Sequence, residues 1–420
     1  MNVRISPSSV SGTIRAIASK SVAHRALICA AFADGTTKIR CDQTNKDIEA
    51  TARVLKALGA KIEYSKPYFS VSPIKKVNEH AELYCGESGS TLRFMLPVAA
   101  ALGVHATFFM EGRLSERPLS PLYEELCEKG AILSAQGANP LTCEGRLVGN
   151  EFSIRGDVSS QFISGLLFAS VLMGGGIKIN VIGKTESSAY IDMTLDALSA
   201  FGVRVCKRDF GYEIPDGCRL ISPKTLEVEG DWSNAAFPLC MGAVSGKISV
   251  CGLDPDSRQG DKRIYELLRE FGASVEFSEG VCTVQRIGEL RGVDIDASQI
   301  PDLVPVLAVV AALAEGTTHI FGAARLRLKE SDRLCATARL LNDLGANAKE
   351  TDDGLVIEGV KRLYGNEVDS CNDHRIAMCA AVAALACDSD VLVRGAECVS
   401  KSYPDFWDDF ESLGAKTTKE

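Results

Sequence analysis

The sequence predicts an α/β protein of two domains, each made of three repeats, with helices at the centre and sheets outside. Three observations carry this. The chain has 420 residues, 46% of them apolar, which is too many for one core and enough for two. A helix-like run closed by glycine and a small residue recurs six times, at Gly59, Gly130, Gly202, Gly272, Gly345 and Gly414, with spacings of 71, 72, 70, 73 and 69 residues. Six further helical stretches have no polar face, and a helix of that kind belongs inside.

The elements follow in order. Runs such as Ile48–Leu58 and Ile264–Phe271 precede the glycines, which read as left-handed caps ending each helix. Alternating segments come next, Lys61–Ser65 with Tyr68–Val71 and Ser274–Phe277 with Val281–Val284, and their short turns predict hairpins. The six apolar helices are Ser21–Phe32, Thr91–Leu102, Phe162–Met173, Asn234–Val244, Asp302–Ala314 and Asp373–Ala386, and the strands include Thr36–Arg40, Ile177–Val181 and Thr318–Phe321. Only six residues follow Gly414, so the sixth repeat lacks a strand, and Met1–Ile14 is the segment expected to supply it. The expected domains are therefore 15–230, and 1–14 with 231–420, joined by a two-strand hinge.

Composition excludes several roles. With 55 acidic against 46 basic residues the formal charge is −9, which argues against a general nucleic-acid coat or a basic membrane-surface protein. No apolar run reaches the ~18 residues needed to span a bilayer, and the N-terminus has no secretion-type apolar segment, so a cytoplasmic protein is expected. Fifteen cysteines are scattered singly, without zinc spacing, and read as reduced, small hydrophobes. Phosphate-loop and dinucleotide glycine motifs are absent. His24, His80, His105 and His319 lack metal-ligand spacing and receive no role.

The unusual residues sit at the starts of the central helices: Ser19-Lys20-Ser21 with His24-Arg25, Gly86-Glu87-Ser88-Gly89-Ser90-Thr91 with Arg93, Ser159-Ser160-Gln161, Asp231-Trp232-Ser233-Asn234, Pro301-Asp302, and Asn372-Asp373-His374-Arg375. Ser, Asn and Asp there are ordinary caps. Lys20, Arg25, Arg93, His374 and Arg375 are not, because a cation at the positive end of a helix is disfavoured unless an anion is present. Three charged segments add reactive groups: Glu111–Pro118, Leu328–Arg333 and Ser400–Asp405.

Taken in series, Ser19-Lys20-Ser21…Arg25, Gly86…Gly89-Ser90-Thr91…Arg93, Glu116-Arg117-Pro118, Ser159-Ser160-Gln161, Ile300-Pro301-Asp302, Lys329-Glu330…Arg333, Asn372-Asp373-His374-Arg375 and Lys401 resemble the 5-enolpyruvylshikimate-3-phosphate synthase family along the whole chain. The resemblance implies two inside-out α/β domains, each of three βαβαββ-type repeats, with the active site in the interdomain cleft. It implies transfer of the enolpyruvyl group of phosphoenolpyruvate to the 5-hydroxyl of shikimate 3-phosphate, with no cofactor, no metal, no nucleic-acid or membrane partner, and a monomer that closes on its substrates. Lys20, Ser21, Arg25, Ser159, Ser160, Gln161, Ser187, Asp302, Arg325 and Lys329 would hold shikimate 3-phosphate. Lys20, Gly89, Arg117, Gln161, Arg333, Arg375 and Lys401 would hold phosphoenolpyruvate. The catalytic groups implied are Asp302 near the 5-hydroxyl, Glu330 and Lys20 for proton transfer at the enolpyruvyl carbons, and His374 at the phosphate; their division between the half-reactions is left open. Gly89 leaves backbone room for glyphosate, so inhibition is expected. Glu87, Ser88, Phe94 and Arg325 depart from the family pattern. A related transferase acting on UDP-N-acetylglucosamine is disfavoured, since Ser21 follows Lys20 and no cysteine lies between Gly112 and Pro121. A sliding clamp is disfavoured by the negative charge.

Overall fold

The structure, a computed structural model, describes residues 1–420. It divides into two compact units, Met1–Ile17 with Glu229–Glu420, and Ala18–Val228. Each has its own apolar core, one running from Val3 to Ala415 and the other from Ala18 to Val228. The divisions fall after Ile17 and Val228 rather than at 14/15 and 230/231. Backbone bonds explain the shift: Ala16 N–H donates to Cys251 O and Asp231 N–H to Ile17 O, at 2.9 and 2.8 Å, which ties Ala16 and Ile17 to the first unit.

Twelve α-helices occur: α1 Lys20–Ala31, α2 Lys46–Ala57, α3 Gly89–Leu102, α4 Leu122–Glu128, α5 Ser160–Leu172, α6 Ser188–Ala200, α7 Trp232–Ser245, α8 Ile264–Glu270, α9 Val304–Ala312, α10 Arg333–Asp343, α11 His374–Ala384 and α12 Phe406–Ser412. The odd-numbered members α1, α3, α5, α7, α9 and α11 are the six apolar stretches, and most of their residues are buried. The predicted Asp302–Ala314 helix is shorter than its pattern. Pro301–Leu303 forms a 3₁₀ turn, α9 begins at Val304, and Ala314–Glu315 leaves the helix to pair with Leu290–Arg291. The six recurring glycines all adopt positive φ, between 82° and 118°, where an L side chain is strained, so each ends its helix as expected.

Six four-stranded sheets share one plan, a parallel pair extended by two antiparallel strands, which form a hairpin in five of them. In the repeat from His80 to Gly145, His80–Gly86 runs parallel to His105–Met110, which pairs with Leu141–Gly145 and then Ala131–Leu133. Along these strands buried and exposed residues alternate, as in His80–Gly86, so one face packs on the helices and the other meets water. Val3–Ser6 completes the sixth sheet between Val391–Arg394 and Lys416–Lys419, as the sequence suggested. Val10–Arg15 opens the fourth sheet beside Gly246–Cys251. One closure was not foreseen: Thr225–Glu227 returns to pair parallel with Thr37–Arg40 and supplies the first repeat's opening strand. With only three residues, two of them exposed, it lacks the apolar alternation that marks a strand.

In the second unit α3 and α5 approach closely at Gly165, where an added Cβ would lie 2.3 Å from Arg93 O. That contact is with backbone and cannot swing aside. Gly165→Ala is expected to lower unfolding free energy in urea by about 2 kcal/mol. Gly288→Ala, in open space, should change it by less than about 0.5 kcal/mol.

Candidate active site

The starts of α1, α2, α3 and α5 form one cluster in the second unit. Lys20, first residue of α1, sits with Nζ 2.9 Å from Asp47 Oδ2 in the first turn of α2. Arg25, 2% exposed, donates from Nε to Thr194 Oγ1, from Nη1 to Ser21 O and from Nη2 to Tyr190 O, at 2.8, 2.7 and 2.8 Å. Burial draws its pKa down to about 10, so it stays charged near neutrality. One donor remains on each terminal nitrogen, the fork that suits a carboxylate.

Gln161 joins α5 to α3. Its Nε2 donates to Ser90 Oγ at 2.9 Å, and its Oε1 lies 3.4 Å from Arg93 Nη1. Ser159 caps α5 through Gln161 N–H, and Ser88 caps α3 through Thr91 N–H. Gly89 matters because it has no side chain: a Cβ there would lie 2.6 Å from Arg93 Nη1 and 2.9 Å from Arg117 Nη1. Two guanidinium groups therefore crowd over the bare start of α3, where N–H groups also point outward. Ser187 stands at the start of α6 with a left-handed φ of 51°. Charge here is mainly positive, as an anion trap needs.

The first unit holds a different cluster, with cations and carboxylates interleaved. Arg333, 2% exposed, contacts Asp373 Oδ2 at 2.7 Å, Glu330 Oε2 at 2.9 Å and Asp302 Oδ1 at 3.0 Å. Arg375 Nη2 donates to Asp302 Oδ2 at 3.1 Å and to Ser233 Oγ at 2.6 Å. Lys329 Nζ lies 3.7 Å from Asp302 Oδ1, and Lys401 Nζ 3.5 Å from Glu330 Oε1. Burial alone would push the Asp302 carboxyl up, but Arg375, Lys329 and Arg333 hold it well below the usual carboxylate range. Asp373 is lowered in the same way against its burial, chiefly by Arg333. Asp373 also caps α11 through Arg375 N–H and accepts from Ser331 Oγ at 3.0 Å. The ring of His374, 1% exposed, has Nδ1 3.7 Å from Asp373 Oδ1. Arg325 points its Nη2 at Ser298 O, 2.8 Å away.

The expected residues thus gather in two groups. Lys20, Arg25, Gly89, Arg117 and Gln161 lie in one unit, and Asp302, Lys329, Glu330, Arg333, His374, Arg375 and Lys401 in the other. Sequence reasoning gave no role to Asp47, Ser90, Ser233, Asp261 or Asp373. Asp373 read as an ordinary cap, Ser90 and Ser233 only as members of helix-start motifs, and Asp47 is an acid in a first helical turn, where acids are common. Asp261 lies in a short 3₁₀ turn, Gly260–Arg263, that carries no periodic signal. No group of three or more His, Cys, Asp or Glu side chains is placed to hold a metal ion, and no helix is long and apolar enough to cross a membrane.

The fold is shared with solved structures of an enolpyruvyl transferase and of EPSP synthase. The chain superposes over 99% of its length on the enolpyruvyl transferase NikO from Streptomyces tendae, with a TM-score of 0.78 at 19% identity, a likeness of fold alone. It superposes over its full length on EPSP synthase from Acinetobacter baumannii, with a TM-score of 0.81 at 25% identity. The model of the EPSP synthase (3-phosphoshikimate 1-carboxyvinyltransferase) family matches residues 5–410. Enzymes named 3-phosphoshikimate 1-carboxyvinyltransferase from Clostridium kluyveri and Clostridium perfringens (strain 13) are each 44% identical, covering 99% and 98% of this chain and 97% and 98% of their own. The chain belongs to this family, and its activity is that of a 3-phosphoshikimate 1-carboxyvinyltransferase.

Asp261 offers a test of the cluster's electrostatics. Burial first, and then the Asp302 charge, raise its pKa from 3.8 to about 6. A carboxyl raised in the folded state stabilises fully below its unfolded pKa, and that contribution is lost as pH rises through the folded one. Asp261→Asn mimics the neutral acid. Between about pH 4.5 and 7.5 the wild type is expected to lose about 2 kcal/mol relative to the variant, read from urea unfolding.

Proposed function

We propose that the two clusters act on one substrate pair, shikimate 3-phosphate and phosphoenolpyruvate, by addition and elimination. In the addition the 5-hydroxyl oxygen attacks C2 of phosphoenolpyruvate while C3 takes a proton, giving a tetrahedral adduct that still carries phosphate. In the elimination C3 gives up a proton, the C2–O bond to phosphate breaks, and the enolpyruvyl ether and inorganic phosphate leave. The observation that carries this reading is Asp302, a carboxylate kept ionised among Lys329, Arg333 and Arg375. A carboxylate kept ionised can accept the hydrogen bond of the 5-hydroxyl and orient it, while the cations around it can meet the phosphate and carboxylate of the substrates.

In this reading Lys20, Ser21, Arg25, Ser159, Ser160, Gln161, Ser187, Asp302, Arg325 and Lys329 hold shikimate 3-phosphate. Lys20, Gly89, Arg117, Gln161, Arg333, Arg375 and Lys401 hold phosphoenolpyruvate. Lys20 and Glu330 exchange the proton at C3, and His374 serves the departing phosphate. The ion pairs of the first cluster give these groups fixed positions before substrate arrives, the arrangement by which electrostatic stabilisation of an adduct acts. The reading includes a monomer in the cytoplasm that works without metal or organic cofactor.

Phosphate release is the direct test. With chelator present, release is expected only when both substrates are supplied. Release with UDP-N-acetylglucosamine in place of shikimate 3-phosphate would move the acceptor and overturn the reading. Asp302→Asn should lower kcat by about a thousandfold while calorimetry still detects phosphoenolpyruvate; turnover near the wild-type rate would remove Asp302 from its role. Gly89→Ala displaces the Arg93 and Arg117 tips, so the KM for phosphoenolpyruvate and the inhibition constant of glyphosate should each rise about tenfold or more.

A further inference from the structure

The structure assigns a positioning role to His24: through a buried chain of hydrogen bonds it holds the start of α1, and so Lys20, in register with the starts of α2 and α3. We propose this on top of the reading above, in which Lys20 and Gly89 meet phosphoenolpyruvate.

Two rungs join α1 to α2. The first is the Lys20–Asp47 ion pair at 2.9 Å. One turn further along both helices His24 Nδ1 lies 2.6 Å from Thr51 Oγ1. Thr51 Oγ1 lies 2.7 Å from Thr91 Oγ1 on α3, and Thr91 Oγ1 donates to Ser88 Oγ at 2.8 Å. The chain therefore ends on the hydroxyl that caps the helix start bearing Gly89 and Ser90. His24, Thr51, Ser88 and Thr91 are each 0% exposed, so water replaces none of these bonds.

The polarity of the chain is fixed from its far end. Thr91 gives its hydroxyl proton to Ser88, so Thr51 gives its own to Thr91, and Nδ1 of His24 is left to donate to Thr51. Burial drives the imidazole pKa down to about 3, against Asp47 and with help from Lys20 and Arg25, which keeps the ring neutral and a single donor in place. The other ring nitrogen, Nε2, is buried without a hydrogen-bond partner. An unpartnered polar atom in a core is a cost that leucine, of similar bulk, would not carry. The contribution left to an imidazole here is its Nδ1 donor.

Neighbouring Arg25 turns the other way, to Thr194 and Tyr190 of α6. Helix α1 is thus anchored on two sides. The His24 side leads to groups read as phosphoenolpyruvate contacts, the Arg25 side to groups read as shikimate 3-phosphate contacts. Lys20 serves both substrates, but Gly89 at the far end of the chain serves phosphoenolpyruvate alone, so loss of the His24 chain should fall harder on phosphoenolpyruvate.

Kinetics at a temperature well below each variant's melting point tests this. His24→Leu is expected to lower kcat/KM for phosphoenolpyruvate about tenfold while the KM for shikimate 3-phosphate moves less than about twofold. His24→Asn puts an amide N–H where Nδ1 stands and should recover to within about threefold of wild type; His24→Gln reaches the Nε2 position instead and should not. Thr51→Val breaks the same chain, so the double variant H24L/T51V should be no slower than T51V alone within about twofold. Losses that follow melting temperature across the series, or that fall equally on both substrates, would overturn the positioning role. Lys20→Met separates the two levels. If it is inactive while H24L behaves as wild type, the inference alone fails; if it turns over normally, the reading of Lys20 fails and takes the inference with it.

Discussion

A helix with no polar face has to be buried, yet it still begins with a turn of backbone N–H groups that nothing inside the helix satisfies. The rest of this structure depends on that constraint. Six such helices fill the two cores, so their starts are carried by rigid, buried elements. Four of these starts carry a side-chain cap, and three of the caps stand among the expected site residues: Ser88, Ser159 and Asp373 accept from Thr91, Gln161 and Arg375. Capping, which every helix needs for stability, fixes the backbone beside Gly89, Gln161 and Arg375 to within a hydrogen-bond length.

The two clusters solve different electrostatic problems. In the second unit Arg25, Arg93 and Arg117 lie among hydroxyls, carbonyls and helix starts, with Asp47 held by Lys20. In the first unit Lys329, Arg333, Arg375 and Lys401 each have a carboxylate within 4 Å, and Arg333 has three. Those pairs lower Asp302 and Asp373 and hold both as anions despite their burial. One cluster has few carboxylates among its cations and the other pairs the two throughout, and the hydrogen-bond chain from His24 to Ser88 lies behind the first.

Much of this was legible in the chain. The glycine spacing marked the repeats because a left-handed cap leaves few alternatives at the end of a helix, and all six glycines have that conformation. The apolar helices were legible because their pattern has no polar side. Thr225–Glu227 was not, since three mostly exposed residues carry no period and become a strand only when the edge of Thr37–Arg40 is there to pair with. At the site, cations at helix starts stood out against expectation, whereas Asp373 passed as an ordinary cap and nothing local marked Asp47 or Asp261.

The sequence by itself determined the six repeats, the burial of six helices and the identity of the charged groups at their starts, because these rest on local periodicity and on residue chemistry. Tertiary structure alone decided which of those groups touch. That Asp302 meets Arg333 and Arg375, that Lys20 meets Asp47, and that His24 acts through Thr51 and Thr91 all depend on helices 27 to 73 residues apart being brought to hydrogen-bond distance. The same imidazole that looked idle between Ala23 and Arg25 became a neutral donor only when burial removed its water.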